Sequence, residues 1–486
     1  MRVFVLPLLL AAAAVAQDEG GLTVKPLAPD PARDARIEEL IAQLLKIEKP
    51  YDGITCSSGG GVGFDALRAN EDTPPAFREL VRLGPAAMPA LLKHLDDKRE
   101  TKLSLSWVDE DMGSRMFARP EIPAMSPEER VRIRRVLGPA AEKEGPVDAP
   151  LVDQIESHAV TVGDCCFVIL GQIVNRSYEA VRYQPSLLAI VSSPTREPRI
   201  AKVLRGRWGR GDPRQILAES LLYDFRQRKR PGMWPGAAER LLVFFPEFGD
   251  EVVARRIGSI RWDDGFEEYC GHELLRRVLP TGRPRIRAAW LDLLGPDRAP
   301  QTQLSGIRAR PEDAGDDFRD RVRALRDRPS DVDVVVVCVA VLNGEKAPAT
   351  FAWLKGEFPK VETRDAERTR AILAALAALD EDESLPIFRA HIEKLAEWGW
   401  GNAIVALRET PRANLAAALF RAKLDATDPV GPHVVPAPEW VTGETRWCDL
   451  AAAVIAHARL ELGFDPKATV EERDRRIAAI RAALAK

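Results

Sequence analysis

The chain has 486 residues, 45% of them hydrophobic and 29% charged, a globular composition that excludes a disordered chain. At this length a large core can be buried without disulfides or metals, and roughly three domains of ordinary size fit. Its 70 basic and 73 acidic residues leave a formal net charge of −3, without the basic excess of a general nucleic-acid binder.

In chain order, residues 1–16 come first. Arg2 supplies a short positive start, and the stretch from Val3 to Ala16 is apolar. Ala14-Val15-Ala16 puts small residues at the two positions a signal peptidase inspects, and Gln17, Asp18 and Glu19 follow. This is the pattern of a cleaved secretory signal, and it is shorter than the roughly 20 residues of a membrane span. The longest later apolar run, Val334 to Leu342, has nine residues. The mature protein is therefore expected to be exported, periplasmic or secreted, with no transmembrane segment.

Residues 17–34 read as a flexible leader. Over 35–48, Ile37, Leu40, Ile41, Leu44 and Leu45 recur at helical spacing and predict an amphipathic helix. A glycine- and serine-rich loop fills 50–74. Ser58 to Gly63 resembles a phosphate cradle but lacks the Gly-Lys-Ser/Thr ending, so a loop is expected there. Residues 74–97 then read as two helices. Leu80 and Leu83 close the first, Gly84-Pro85 stops it, and Ala87, Met88, Leu91, Leu92 and Leu95 form the apolar face of the second.

The run Leu80 to Asp97 resembles a HEAT-type helical repeat, of the short variety associated with phycobilisome lyases. Looser echoes follow: Leu274–Leu279 with Arg285–Leu294, Phe318–Leu325 with Val332–Leu342, Ala371–Leu379 with Leu385–Leu395, and Ala403–Leu407 with Leu415–Leu424. The four valines 334–337 favour a strand taken alone, but the helical neighbourhood predicts helix. Trp447 to Leu462 and Val470 to Ala485 are expected as closing helices. The second has acid in its first turn and arginines later, which suits the helix dipole. Cys448-Asp449-Leu450-Ala451 and the segment 157–210 resemble uncharacterised exported bacterial HEAT-like proteins. In that segment the shared runs are Gly163-Asp164-Cys165-Cys166-Phe167, Leu170 to Arg176, and Arg182-Tyr183-Gln184-Pro185. The resemblance implies an architecture and no activity.

The expected fold is all-α, an irregular HEAT-like α-solenoid of helix pairs with one specialised, less regular segment. Its parts are 1–16 signal peptide, 17–34 leader, 35–100 N-terminal helices with the HEAT-like unit, 101–144 irregular insertion, 145–215 specialised segment, 216–430 divergent helical repeats and 431–486 C-terminal capping helices. Ser126 to Glu129 opens a short helix inside the insertion.

Within 145–215, Gln172 and Asn175 share a helix face, and Arg182 and Tyr183 offer a guanidinium fork and a phenol. These four are the candidate binding residues, against a bland alternative in which such polar groups bond the neighbouring loop. Arg196 to Arg214 holds seven basic residues and two acidic ones, and Arg205, Arg207, Trp208 and Arg210 form a candidate anion patch. Arg276, Arg277, Arg283, Arg285 and Arg287 form a second basic patch. Asp164 beside Cys165 and Cys166, with His158 upstream, suggests a cysteine nucleophile, but a thiol leading an apolar run is poorly placed for one. The six cysteines, Cys56, Cys165, Cys166, Cys270, Cys338 and Cys448, are expected mainly as free core thiols. Cys270-Gly271-His272-Glu273 offers too few ligands for a metal, and no metal or cofactor is expected. The expected role is an exported non-catalytic scaffold or protein-binding module, with another protein as partner and no nucleic acid. The alternatives are an envelope enzyme, hydrolytic in character, using 145–215, or a binder of anionic cell-surface polymer.

Overall fold

The computed structural model describes residues 23–48, 67, 73–106, 157–176, 178, 180–183, 189–191, 193–228, 231–312, 314–361, 365–430 and 445–485. Residues 1–16, Cys56, residues 58–63 and most of the 101–144 stretch, including the residues expected to open a short helix there, lie outside them. The chain divides into two compact units. One runs to Ile260 and includes Asp264–Arg287; the other holds Arg261–Asp263 and Ala288 onward. The division falls inside the stretch read as one run of divergent repeats.

The first unit opens with α1 (Pro31–Gln43), α2 (Pro75–Leu83) and α3 (Met88–Lys93). Asp30 caps α1 by accepting from Arg33 N at 3.0 Å, so the helix starts four residues before the 35–48 expectation. The leader expectation is also corrected. Val24 is buried and its amide donates to Gln215 at 2.9 Å, while Arg214 donates to Lys25 O. The helix pair around Gly84-Pro85 forms as read. Gly84 ends α2 at φ 56°, and a Cβ there would meet the Phe244 ring at 2.6 Å, so both the turn and the packing require glycine.

Two small antiparallel sheets qualify the all-α expectation. β1 (Glu100–Ser106) pairs with β2 (Ser157–Thr161), and β3 (Val181–Tyr183) with β4 (Ala189–Val191). β1 occupies the start of the expected irregular insertion, and the β3–β4 hairpin lies in the expected irregular loop after Arg176. Between the two sheets runs α4 (Val162–Val174), every residue of which is buried. It packs against α2, α3 and α6. The unit continues through α5 (Pro198–Trp208), α6 (Pro213–Arg226), α7 (Trp234–Phe244), α8 (Pro246–Ile257) and α9 (Gly265–Val278). Helix α7 packs on α6, α8 and α9. The division between units falls within α10 (Pro284–Asp292).

The second unit contains α11 (Pro300–Arg308), α12 (Gly315–Asp327), α13 (Val332–Val341), α14 (Pro348–Val361), α15 (Ala366–Leu379), α16 (Glu381–Leu395), α17 (Glu397–Glu409), α18 (Ala413–Phe420), α19 (Trp447–Ala458) and α20 (Val470–Ala485). Helices also pack on the next but one: α11 on α13, α13 on α15, α15 on α17 and α17 on α19. Alongside, α12 packs on α14 and α16 on α18. A continuous apolar core from Val335 to Ile480 results. The four valines are helical, since Asp331 caps α13 through Asp333 N and Val334 N, and the helix buries Val334, Val335 and Val339 against helical neighbours.

Ala396, between α16 and α17, has φ 47° and ψ −119°, a conformation that essentially only glycine adopts cheaply. Ala396→Gly is therefore expected to raise stability by about 1 kcal/mol, the released strain outweighing the added chain entropy, measured as a higher urea midpoint. An unchanged or lower midpoint would show that the turn holds no strain. Glu345 receives Arg323 and Arg319, both from α12 and both at 2.8 Å, and its carboxyl is held down to about 2 by those hydrogen bonds, Arg323 first. Because the folded value lies below the unfolded one, this clamp contributes fully above the usual glutamate range and is lost as pH falls toward 2. Glu345→Gln is expected to cost about 0.5–1 kcal/mol at pH 7 and to converge with the parent near pH 2 in urea titrations. A gap that persists in acid would contradict the clamp.

Candidate functional site

The specialised segment is organised around the ends of α4. At its start, Thr161 and Asp164 form a reciprocal cap. The Asp164 amide donates to Thr161 Oγ1 at 3.2 Å, and the Thr161 amide donates to Asp164 Oδ2 at 2.9 Å. The same Oδ2 accepts from Thr161 Oγ1 at 2.8 Å and lies 2.9 Å from His158 Nε2. Thr161 Oγ1 is 3.4 Å from Thr195 Oγ1, which is 2.7 Å from Ser193 Oγ. His158, Asp164 and Ser193 are all buried, and the helix dipole favours the carboxylate at this end. His158 Nδ1 and Asp164 Oδ1 have no hydrogen-bond partner.

At the other end, Asn175 adopts the left-handed conformation (φ 57°, ψ 47°) that stops the helix, and its Nδ2 donates to Met233 O at 3.2 Å. Arg176 donates to Asn175 O at 2.9 Å and forks onto Asp224 of α6, with Ser220 at 3.3 Å. Arg240 of α7, fully buried, donates through Nε to Gln172 O, through Nη2 to Gln172 Oε1 at 3.4 Å and through Nη1 to Gly236 O at 2.9 Å. A Cβ on Gly236 would lie 2.2 Å from Asn175 Oδ1, so only glycine lets α7 approach this closely.

Gln172 and Asn175 thus stand together, as the helix spacing implied. Both are buried, and both are bonded to the chain's own backbone and side chains. Arg182 and Tyr183 sit on β3, opposite Ile190 and Ala189. The anion patch does not assemble as read. Arg205 donates to Leu92 O at 2.8 Å, Lys93 O at 3.2 Å and Asp96 at 2.7 Å, so it closes the end of α3. Trp208 is buried and donates to Tyr178 Oη at 3.1 Å, with Tyr178 stacked on Phe167. The Arg207 guanidinium lies 4.8 Å over the Trp208 ring, and Arg210 is exposed beyond the helix end. The second basic patch is engaged in the same way: Arg276 with Glu273, Arg277 with Glu239, and Arg283 with Asp250 and Leu242 O.

Cys165 and Cys166 are fully buried. Burial raises both thiols far above the usual range, so neither forms a thiolate readily, and His158 faces Asp164 instead. The five described cysteines are free thiols. Cys270 is buried and its thiol is pushed up to about 11, first by desolvation. Among the described residues no group of three His, Cys, Asp or Glu is placed to hold a metal.

Sequence reading had access to the cap, because Thr161-Val162-Gly163-Asp164 precedes an apolar run in the capping-box pattern. Asp224, Ser220 and Arg240 carried no local signal; they are single polar residues within helices that meet α4 only after folding. No family model matches the chain, and no curated protein or solved structure matches it. The described elements place it in the predominantly α-helical class, with a wholly buried helix braced at both ends.

Removing one partner of a buried ion pair leaves the other uncompensated. Asp224→Ala is expected to cost about 3–5 kcal/mol, against about 1 kcal/mol for loss of an ordinary exposed pair such as Arg255–Glu251. Equilibrium urea unfolding of both variants measures the difference. Equal costs would mean that Arg176 does not depend on Asp224 in solution.

Proposed function

We propose that the mature chain is an exported, non-catalytic scaffold or protein-binding module built on HEAT-like helical pairs, with another protein as its partner. The observation that carries this reading is the packing order of the second unit, where helices meet both the next and the next but one. Stacked helix pairs of that kind bury a continuous core between neighbours and leave long exposed rows of helix as recognition surface. That packing supports the reading of a HEAT-like α-solenoid, as does the Leu80–Asp97 resemblance. Export rests on the pattern of residues 1–16, and the near-neutral charge disfavours nucleic acid as a partner.

The envelope-enzyme alternative draws no support from the described residues of 145–215. The described polar side chains there brace helix ends, and its thiols are desolvated. Of the four candidate binding residues, Arg182 and Tyr183 remain the ones to test, because Gln172 and Asn175 brace α4 and their loss would act through stability.

The test uses the chain without residues 1–16 as bait in its native envelope extract. A captured protein is then purified and titrated against the parent, an Arg182→Ala/Tyr183→Ala variant and, as a control, an Arg321→Ala variant at an exposed position of α12. A saturable complex weakened about tenfold or more, about 1.4 kcal/mol, in the double variant alone is expected. Absence of any saturable protein partner would overturn the scaffold reading; equal binding by all three would remove β3 from the site.

A further inference from the structure

Several of the described arginines grip a carboxylate by one edge of the guanidinium, and in Arg256 both nitrogens of that edge are without a partner. Arg36 grips Glu79 through the Nε–Nη2 edge of its guanidinium, at 3.0 and 2.8 Å. Arg199 holds Glu197, Arg276 holds Glu273, Arg368 holds Asp333 and Arg446 holds Asp449 by the same edge. That edge presents two parallel N–H groups at the spacing of two oxygens on one carbon or phosphorus.

In Arg256, in the last turn of α8, this edge is empty. Nε and Nη2 are both shielded from solvent and neither has a hydrogen-bond partner. The guanidinium lies over the Trp234 ring, with Cζ 3.8 Å from the ring centroid. The indole is itself fixed, fully buried and donating from Nε1 to Gln227 O at 2.9 Å. The electrostatics match the geometry. Among the described arginines with a shifted titration, Arg256 alone is lowered, to about 10, first by desolvation and then by the like charge of Arg228, with Glu267 of α9 opposing. Arg228 belongs to a run in which four of five residues are basic, Arg226-Gln227-Arg228-Lys229-Arg230. A charged group without solvent or acceptor is costly, and natural proteins keep such groups chiefly where something else supplies the missing partner.

We propose that Arg256, held on the Trp234 platform beside Arg228, is a receptor for an oxyanion, binding the carboxylate or phosphate group of a ligand through its Nε–Nη2 edge. This site is separate from the candidate anion patch at 205–210 and independent of the scaffold reading. The residue is half-buried, so part of its side chain is open to solvent and an acceptor approaches the edge from that side. Once there it binds in a desolvated place, where a charge-assisted pair is strongest. Contact with the buried Trp234 ring restricts the fork before any ligand arrives, which leaves less rotamer freedom to lose on binding.

Thermal unfolding of the chain without residues 1–16 tests this, in phosphate, in acetate and in chloride at one ionic strength. The expected result is a saturable rise of about 3 °C or more over chloride in at least one oxyanion. A rise in phosphate only assigns a phosphoryl ligand, and one in acetate only assigns a carboxylate. Arg256→Met is expected to lose the rise while unfolding in chloride at the parent temperature or above it, since it removes an unpaired charge. Arg256→Lys keeps the charge without the fork, and an apparent affinity about tenfold weaker is expected. Arg255→Ala, an exposed neighbour paired with Glu251, is expected to keep the full rise. No oxyanion effect in the parent, an equal effect in Arg256→Lys, or an Arg255→Ala loss as large as that at Arg256 would each overturn the proposal.

Discussion

A helix buried along its whole length must not leave its polar ends unpaired. The first four amides and last four carbonyls of any helix have no partner within it, and in α4 water is not there to supply one. Much of the first unit answers this constraint. Thr161, Asp164 and His158 close the amide end, while Asn175, Arg176 and Arg240 close the carbonyl end. The partners come from β2, from the turn after α4 and from α7. Placing α4 therefore fixes three other parts of the chain, and Asp224 of α6 follows through Arg176.

The same solution recurs wherever a helix ends inside the packing. Arg205 reaches the last carbonyls of α3, Arg214 reaches Phe244 O at the end of α7, and Arg412 reaches Ala377 O and Ala378 O in α15. Arginine suits this work because one planar fork supplies several donors and a charge that complements the negative end of the dipole. Many of the arginines that look like anion-binding surface in the sequence are thus internal fasteners. Locally basic stretches such as 196–214 therefore hold several forks, those of Arg199, Arg205 and Arg214 among them, that already face a carbonyl or a carboxylate.

The chemistry suggested by the motif around Asp164 reduces to the same cause. A nucleophile needs access and a means of becoming an anion. Cys165 and Cys166 have neither, because they lie on a helix with no exposed side, and burial penalises the thiolate. Gln172 and Asn175 share a face as their spacing requires, but that face is turned toward α7. The spacing of two residues reports their relative direction on a helix, not whether the face is wet.

Local chemistry along the chain was sufficient for the helical class, the α2–α3 turn at Gly84-Pro85, most of the helices around the echo pairs and the closing helix Val470–Ala485. Those features depend on apolar periodicity, caps and turn residues that lie within one or two turns of each other. Even some of what was missed was local. Pro213, Pro246, Pro300 and Pro348 each open a helix, since proline at the first position gives up no needed amide, yet each reads more readily as a break. Other features had no local trace. Which polar residues are buried, which carbonyl each arginine reaches, and that Arg256 meets an indole but no acceptor all depend on residues tens of positions apart becoming neighbours. Helix propensity and capping are properties of a few consecutive residues; burial and pairing are properties of the packed chain, and only packing could assign them.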